Sequence, residues 1–364
     1  MWSEEACIAA ALVPAWRWAQ IASAWRRGEP ADQVLAQQWA EGQARGRGVA
    51  WARGETLAQR AAEVTAAAVR AGLVQVTWAS PDYPVRLLDL PDPPPALWVR
   101  GDPGWWHGTA VALVGSRACT NYARTVAGQL AEALSARGLV VVSGLARGVD
   151  AAAHAGALAG GGGTVAILGS GADIVYPPEH EGLAAAVAGR GALVSEFVPG
   201  TSPRPAWFPR RNRLIAALCR AVVVVEAGER SGSLITARCA AEQGRDVLAV
   251  PGSILGPHNR GGHALLRDGA RVVMHVDDIL DELGMAGGRP ALDPVTGAPS
   301  GATDTDPVLA ALHVSEARDL DDVVARSGVP ATTALARLLE LELAGAVVRS
   351  PGGRFARTVP AVLG

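Results

Sequence analysis

"LVVVSGLARGVDAAAH", Leu139–His154, is a short β-branched run, a glycine-punctuated turn with one arginine, and an alanine-rich segment that opens on an aspartate. Strand, loop and helix in that order make half of a crossover unit, because parallel neighbours need a helix between them. Similar runs recur on both sides: "AVALVG" from Ala110, "TVAILGSG" from Thr164, "ALVSEF" from Ala192, "AVVVVEA" from Ala221, "DVLAVPG" from Asp246 and "ARVVMH" from Ala270. Strands that are apolar throughout must be covered on both faces. The expected fold is therefore α/β, an extended Rossmann-like, doubly wound parallel sheet over residues 110–283.

The flanks read differently. Residues 1–78 hold seven of the eleven tryptophans among helix-period segments such as "ETLAQRAAEVTAAAVRAGL", which predicts a helical, SAM-like N-terminal domain with the indoles in its core. "SPDYPVRLLDLPDPPPALWVRGDP", from Ser80, breaks helix repeatedly and reads as a connection laid across the core unit, which is bounded at 79–284. A Gly/Pro/Ala/Thr linker spans 285–305. Residues 306–364 read as three short helices and a hairpin turned at Pro351, Gly352 and Gly353, a winged-helix domain.

Composition removes several functions. The net charge is −2, so any basic surface is local, and all 33 basic residues are arginine. Without lysine there is no Walker A loop, Schiff base or pyridoxal-phosphate linkage. Cys7, Cys119, Cys219 and Cys239 have no metal-ligand spacing and are expected as reduced thiols of a cytoplasmic protein. No apolar stretch is long enough for a membrane span, and the first residues carry acids where a signal peptide needs a basic start. No cofactor or metal is expected.

Ligands of open parallel sheets sit beyond the carboxyl ends of the strands, and four endings stand out. In "VALVGSRACTNYARTVAGQLAEAL", Gly115, Ser116 and Arg117 precede a helix with no acid before Glu132, a pattern suited to a phosphate oxygen. In the opening stretch, Gly144 and Gly148 allow a tight backbone and Arg147 supplies charge. Asp150 is expected to cap the helix, leaving loop amides and Arg147 for an anion, with the glycines letting a nucleic-acid backbone approach. Asp150 and His154 share a helix face, as an acid/base pair or a structural hydrogen bond. In "EFVPGTSPRPAWFPRRNRLIAALCRAVVVVE" no acid lies between Glu196 and Glu226, while Arg204, Arg210, Arg211, Arg213 and Arg220 gather around Trp207, Phe208 and Asn212. Arginines among aromatics suit a single strand, charge for its phosphates and flat faces for its bases. The other reading has Arg211 and Arg213 in buried ion pairs with Glu196 or Glu226. Last, Ser231, Gly232 and Ser233 offer hydroxyls and helix-start amides to another anion.

Together these words resemble the DNA-processing protein A family, DprA or Smf. They run in order as "YP" at Tyr83, "VGSR" at 114–117, "SGLARGVDAAAH" at 143–154, "GTVAILGSG" at 163–171, "YP" at Tyr176, "SE" at Ser195, "FPRRNRLIAAL" at 208–218, "VVEAGERSGSLITA" at 224–237, "GRDVLAVPG" at 244–252 and "LLRDGA" at 265–270. The resemblance implies a core that binds single-stranded DNA, forms a homodimer and helps load the RecA recombinase during natural transformation, with Arg117 and Arg204 on the DNA backbone. Three positions depart from the family's pattern: Ala123 for a glycine, His263 for an asparagine, and Pro205 about where a lysine is expected. An alternative of another class is a nucleotide enzyme of the nucleoside-phosphate glycosidase kind, with Glu226 or Asp150 as acid. From Asp306 to Ala346 the winged-helix region carries seven acids against three arginines, which predicts a protein contact unless Arg349, Arg354 and Arg357 of the wing act alone.

Overall fold

The computed structural model of the chain describes residues 2–44, 56–285, 306–312, 317–350 and 352–358. Four helices come first: α1 (Glu4–Leu12), α2 (Trp18–Arg26), α3 (Ala31–Ala44) and α4 (Leu57–Arg70). Ser3 caps α1, and a Thr56/Gln59 capping box starts α4. Trp2, Trp18 and Trp78 are buried as expected, Trp16 is exposed, and Trp51 lies outside the described residues.

Strands β1 (Val74–Thr77) and β2 (Ala96–Gly101) follow, then β3 (Ala110–Gly115), α5 (Asn121–Ala136), β4 (Val140–Ser143), α6 (Val149–Ala159), β5 (Thr164–Ile167), α7 (Glu181–Gly189) and β6 (Gly191–Ser195). After the crossover come α8 (Trp207–Leu218), β7 (Ala221–Glu226), α9 (Ser233–Glu242), β8 (Asp246–Ala249), α10 (Arg260–Arg267), β9 (Arg271–Val272) and α11 (Val276–Glu282). The nine strands form one sheet in the order β1-β2-β6-β5-β4-β3-β7-β8-β9. From β6 to β9 every pairing is parallel, and all seven apolar runs named from the sequence are strands of it.

Two strands change the expected layout. β1 lies inside the residues assigned to helices, and β2 lies inside the proline-rich stretch read as a connection. They pair antiparallel with each other, and β2 with β6, extending the sheet at that edge. The breaker residues hid β2 because they flank it: Ala96–Val99 itself is fully buried. Nor is the helical region a separate core, since Trp2, Ile21 and Ala68 join Trp98, Val142 and Val224 in one apolar cluster.

The last part contains α12 (Pro307–Ala310), α13 (Leu320–Ser327), α14 (Ala331–Leu343) and a hairpin of β10 (Val347–Ser350) and β11 (Arg354–Arg357), packed on Val323, Leu338 and Phe355. The winged-helix order is as expected. Gly352 and Gly353 both have positive φ, which admits the tight turn, whereas Pro351 and nearly all of the 285–305 linker lie outside the described residues.

Candidate nucleic-acid interface

β3 runs between β4 and β7, so the chain reverses direction across the sheet there, and a crevice opens at the carboxyl ends of β3 and β7. The cleft has a volume of about 740 Å³. Its walls are the β3–α5 loop (Gly115, Ser116, Arg117), the start of α8 with the residues before it (Arg204, Phe208), and the β7–α9 loop (Arg230, Ser231, Gly232).

Phe208 lines the cleft between two neighbours. The Arg117 guanidinium carbon lies 4.9 Å from its ring centroid and the Tyr176 ring 5.5 Å away. Arg117, Arg204 and Arg230 are all exposed, and none makes an ion pair among the described residues. The acid beside Arg230 is engaged elsewhere: Glu229 pairs with Arg260 at 3.6 Å. Three cations without counter-ions among the described residues, one of them over a half-exposed ring, line a cleft that attracts an anion carrying flat apolar groups.

Below them lies a floor of satisfied charges. Arg211 is 4% exposed; it donates to the Gly144 carbonyl at 2.7 Å, to the Ile167 carbonyl and to the Asn212 side chain at 3.0 Å, and it lies 3.9 Å from Asp150. Burial pulls its pKa down to about 10, so it remains a cation at neutral pH. Asn212 in turn donates to the Gly232 carbonyl at 3.3 Å, tying α8 to the β7–α9 loop. Ser231 and Ser233 share a hydroxyl hydrogen bond of 2.8 Å at the start of α9.

Several expected contacts fall elsewhere. Gly144, Arg147 and Gly148 do not line this cleft. Asp150 does not cap α6; it accepts the Gly144 and Ala146 amides at 3.1 and 3.4 Å, consuming the loop donors an anion would have used. Arg147 is paired with Glu179. The two glycines serve the chain's own packing: a Cβ on Gly144 would enter the Arg211 guanidinium, and one on Gly148, at φ 78°, would meet the Ser116 and Arg117 carbonyls. His154 is not partnered with Asp150; its Nδ1 lies 2.8 Å from the Thr164 hydroxyl, which itself donates to Val141. That leaves Nδ1 as the protonated nitrogen and Nε2 buried without a hydrogen-bond partner among the described residues. Burial pushes the imidazole pKa down to about 3.

The arginine-rich stretch divides. Arg210 grips the fully buried Glu196 carboxylate through two hydrogen bonds of 3.0 and 3.1 Å, and Arg213 joins the same carboxylate. Trp207 turns from the cleft onto Phe197, ring centroids 4.9 Å apart. So Arg213 does pair with Glu196, while Arg211 goes to carbonyls and Asp150 and not to either glutamate. Glu226 instead accepts the Thr120 amide at 3.1 Å and hydroxyl at 2.6 Å, neutralising the start of α5 that had read as acid-free. Arg230 and Tyr176 complete the cleft but were not among the expected contacts; Tyr176 entered only as one of the family's words. Arg230 directly precedes Ser231, and its adjacency to that loop was the available signal. Tyr176 comes from a distant turn, so only the fold brings it to Phe208.

Comparison with known proteins finds relatives of this chain. The sequence profile of the family described as "DNA recombination-mediator protein A" matches residues 75–284, and that of the "DprA winged helix domain" matches 293–353. The chain is 41% identical over 281 residues to Protein Smf of Escherichia coli, covering 74% of each chain. It is 44% identical over 200 residues to the DNA processing protein DprA of Streptococcus pneumoniae, covering 55% of this chain and 71% of that one. Among solved structures, DNA processing protein A from Streptococcus pneumoniae aligns with TM-score 0.58 and 35% identity over 67% of this chain and 90% of that one. The Helicobacter pylori protein, described for its single-stranded DNA binding mode, aligns with TM-score 0.53 and 27% identity over 58% and 97%.

Proposed function

The chain belongs to the DNA recombination-mediator protein A family, and from that membership we propose that it acts as a binder, not a catalyst, holding single-stranded DNA in the β3–β7 cleft. In this reading it shields strands entering the cell during natural transformation and passes them to a RecA recombinase, working in the cytoplasm as a homodimer through the core. The observation that carries the binding step is that Arg117, Arg204 and Arg230, without ion pairs among the described residues, line one cleft with Phe208, over whose ring Arg117 lies. The structural relative from Helicobacter pylori, whose description names single-stranded DNA binding, supports it. Among the described residues no helix is long and apolar enough to cross a membrane.

The nucleotide-enzyme alternative loses its acids. Glu226 does not line this cleft and is held by Thr120, and Asp150, on the cleft floor, lies against Arg211 and accepts two loop amides, so both carboxylates are already engaged by the fold.

The test is fluorescence anisotropy of a labelled single-stranded oligonucleotide across a salt series, with duplex as competitor. Three phosphate contacts give a log–log salt slope of about −2.1, so a fourfold rise in salt weakens binding by about 18-fold. Arg117→Ala should flatten the slope by about 0.7. A wild type that ignores the oligonucleotide at low salt would defeat the proposal.

A further inference from the structure

A second cleft, of about 590 Å³, opens at the same end of the sheet on the α5 side. Tyr122, Arg124, Leu255 and His258 of the core line it, together with Ser350 and Arg354 of the β10–β11 wing. Ala118 in the β3–α5 loop lines both clefts, immediately after Arg117. We infer that a single strand seated in the first cleft continues past Ala118 into the second, where Arg124 and Arg354 meet its phosphates, so that the wing is itself a nucleic-acid contact. The inference rests on the single-strand reading of the first cleft and extends it to a part of the chain whose charge first argued against DNA.

That charge is not evenly spread. Among the described residues the acids of the winged-helix domain lie on its helices or cap them, and several are used locally: Asp306 pairs with Arg337 at 2.6 Å, Arg337 reaches Glu340 at 2.6 Å, and Asp319 caps α13. From Val347 to Thr358 the wing carries Arg349, Arg354 and Arg357 and no acid. It meets the core at the amino end of α5, where the Asn121 amide donates to the Ser350 hydroxyl at 2.9 Å. Arg124 and Arg354 are exposed, and neither makes an ion pair among the described residues. The carboxylate in this cleft, Glu226, has both oxygens occupied by Thr120, which blunts its repulsion of a phosphate.

The second cleft also repeats the composition of the first. Tyr122 contributes a ring fixed by its hydroxyl on the Pro251 carbonyl at 3.2 Å, and Leu255 stands 87% exposed beside it. Unpaired arginines next to apolar faces are what consecutive nucleotides require, and the first cleft supplies them on the other side of Ala118.

The experiment uses the full chain with a short oligothymidylate that fills one cleft and a long one that can cross both. Affinity and salt slope are read by anisotropy for wild type, for Arg124→Ala with Arg354→Ala, and for Arg354→Glu. Thermal melts check that these exposed substitutions leave the fold intact. The wild type should show a steeper slope on the long strand. The double variant should lose about 1.4 from that slope, two single-strand phosphate contacts, with little change on the short one. Charge reversal at Arg354 should weaken long-strand binding further. Equal long-strand slopes in wild type and double variant would overturn the inference while leaving the first cleft standing. So would a double variant that binds long strands normally but no longer captures recombinase, since the wing would then serve a protein. Failure of the wild type to bind even the short strand would remove the reading of the first cleft and this inference with it.

Discussion

Phe208→Ala separates stacking from charge in the proposed groove. The ring touches Arg117 on one side, 4.9 Å from the guanidinium carbon, and Tyr176 at 5.5 Å. Loss of a base-stacking face costs about 1–3 kcal/mol, which is roughly 5- to 160-fold in dissociation constant. No charge is removed, so the log–log salt dependence should keep its slope and only its intercept should move. Arg117→Ala should do the opposite, flattening the slope by about 0.7. Trp207→Ala is the control: the neighbouring indole packs on Phe197 outside the cleft, so its loss should lower thermal stability with little change in affinity. The assay is anisotropy at several salt concentrations, with a urea melt of each variant. If Phe208→Ala binds as tightly as wild type, or if its slope falls as though a phosphate contact had gone, the stacking role assigned to the ring is wrong.

Other substitutions probe the scaffold and the rim. Glu196→Ala strands Arg210 and Arg213 around an emptied carboxylate site, and breaking a buried pair of this kind costs about 3–5 kcal/mol; a loss below about 1 kcal/mol in urea unfolding would show the pair to be dispensable. His154 titrates at about 3 when folded against an ordinary 6.5, so below pH 6.5 the unfolded chain takes up the proton first and stability falls as pH drops towards 3. His154→Leu should lack that component, and identical acid dependence of wild-type and variant melting would contradict the assignment. Gly148→Ala forces a side chain into the positive-φ region against the Arg117 carbonyl, 2.8 Å from the added carbon, and should weaken both folding and oligonucleotide binding; a neutral variant would mean the β3–α5 loop yields freely. Arg230→Ala should weaken binding and flatten the salt slope like Arg117→Ala, and an unchanged slope would remove it from the groove.

The parallel strands were legible because each is an apolar run long enough to be buried on both faces, and such runs have few other uses. β2 was not, because the prolines around it report the loops and mask the buried Ala96–Val99 between them. The glycines announced special backbone without saying for whom: the space at Gly144 belongs to Arg211, and the space at Gly148 to the Ser116 and Arg117 carbonyls. The arginines pose the same problem in charge. Local sequence makes Arg210, Arg211 and Arg213 look as available as Arg204, for no acid lies near them in the chain. What decides their roles are carboxylates delivered by other elements: Glu196 from the end of β6 takes Arg210 and Arg213, and Asp150 from α6 sits beside Arg211. Arg147 is likewise drawn to Glu179. A cation already paired in the fold has part of its field cancelled and would have to break that contact to meet a phosphate, so in the proposed first cleft the pull on a strand would concentrate on Arg117, Arg204 and Arg230. The groove is therefore set less by where the arginines occur in the sequence than by where the fold has left them without an acid.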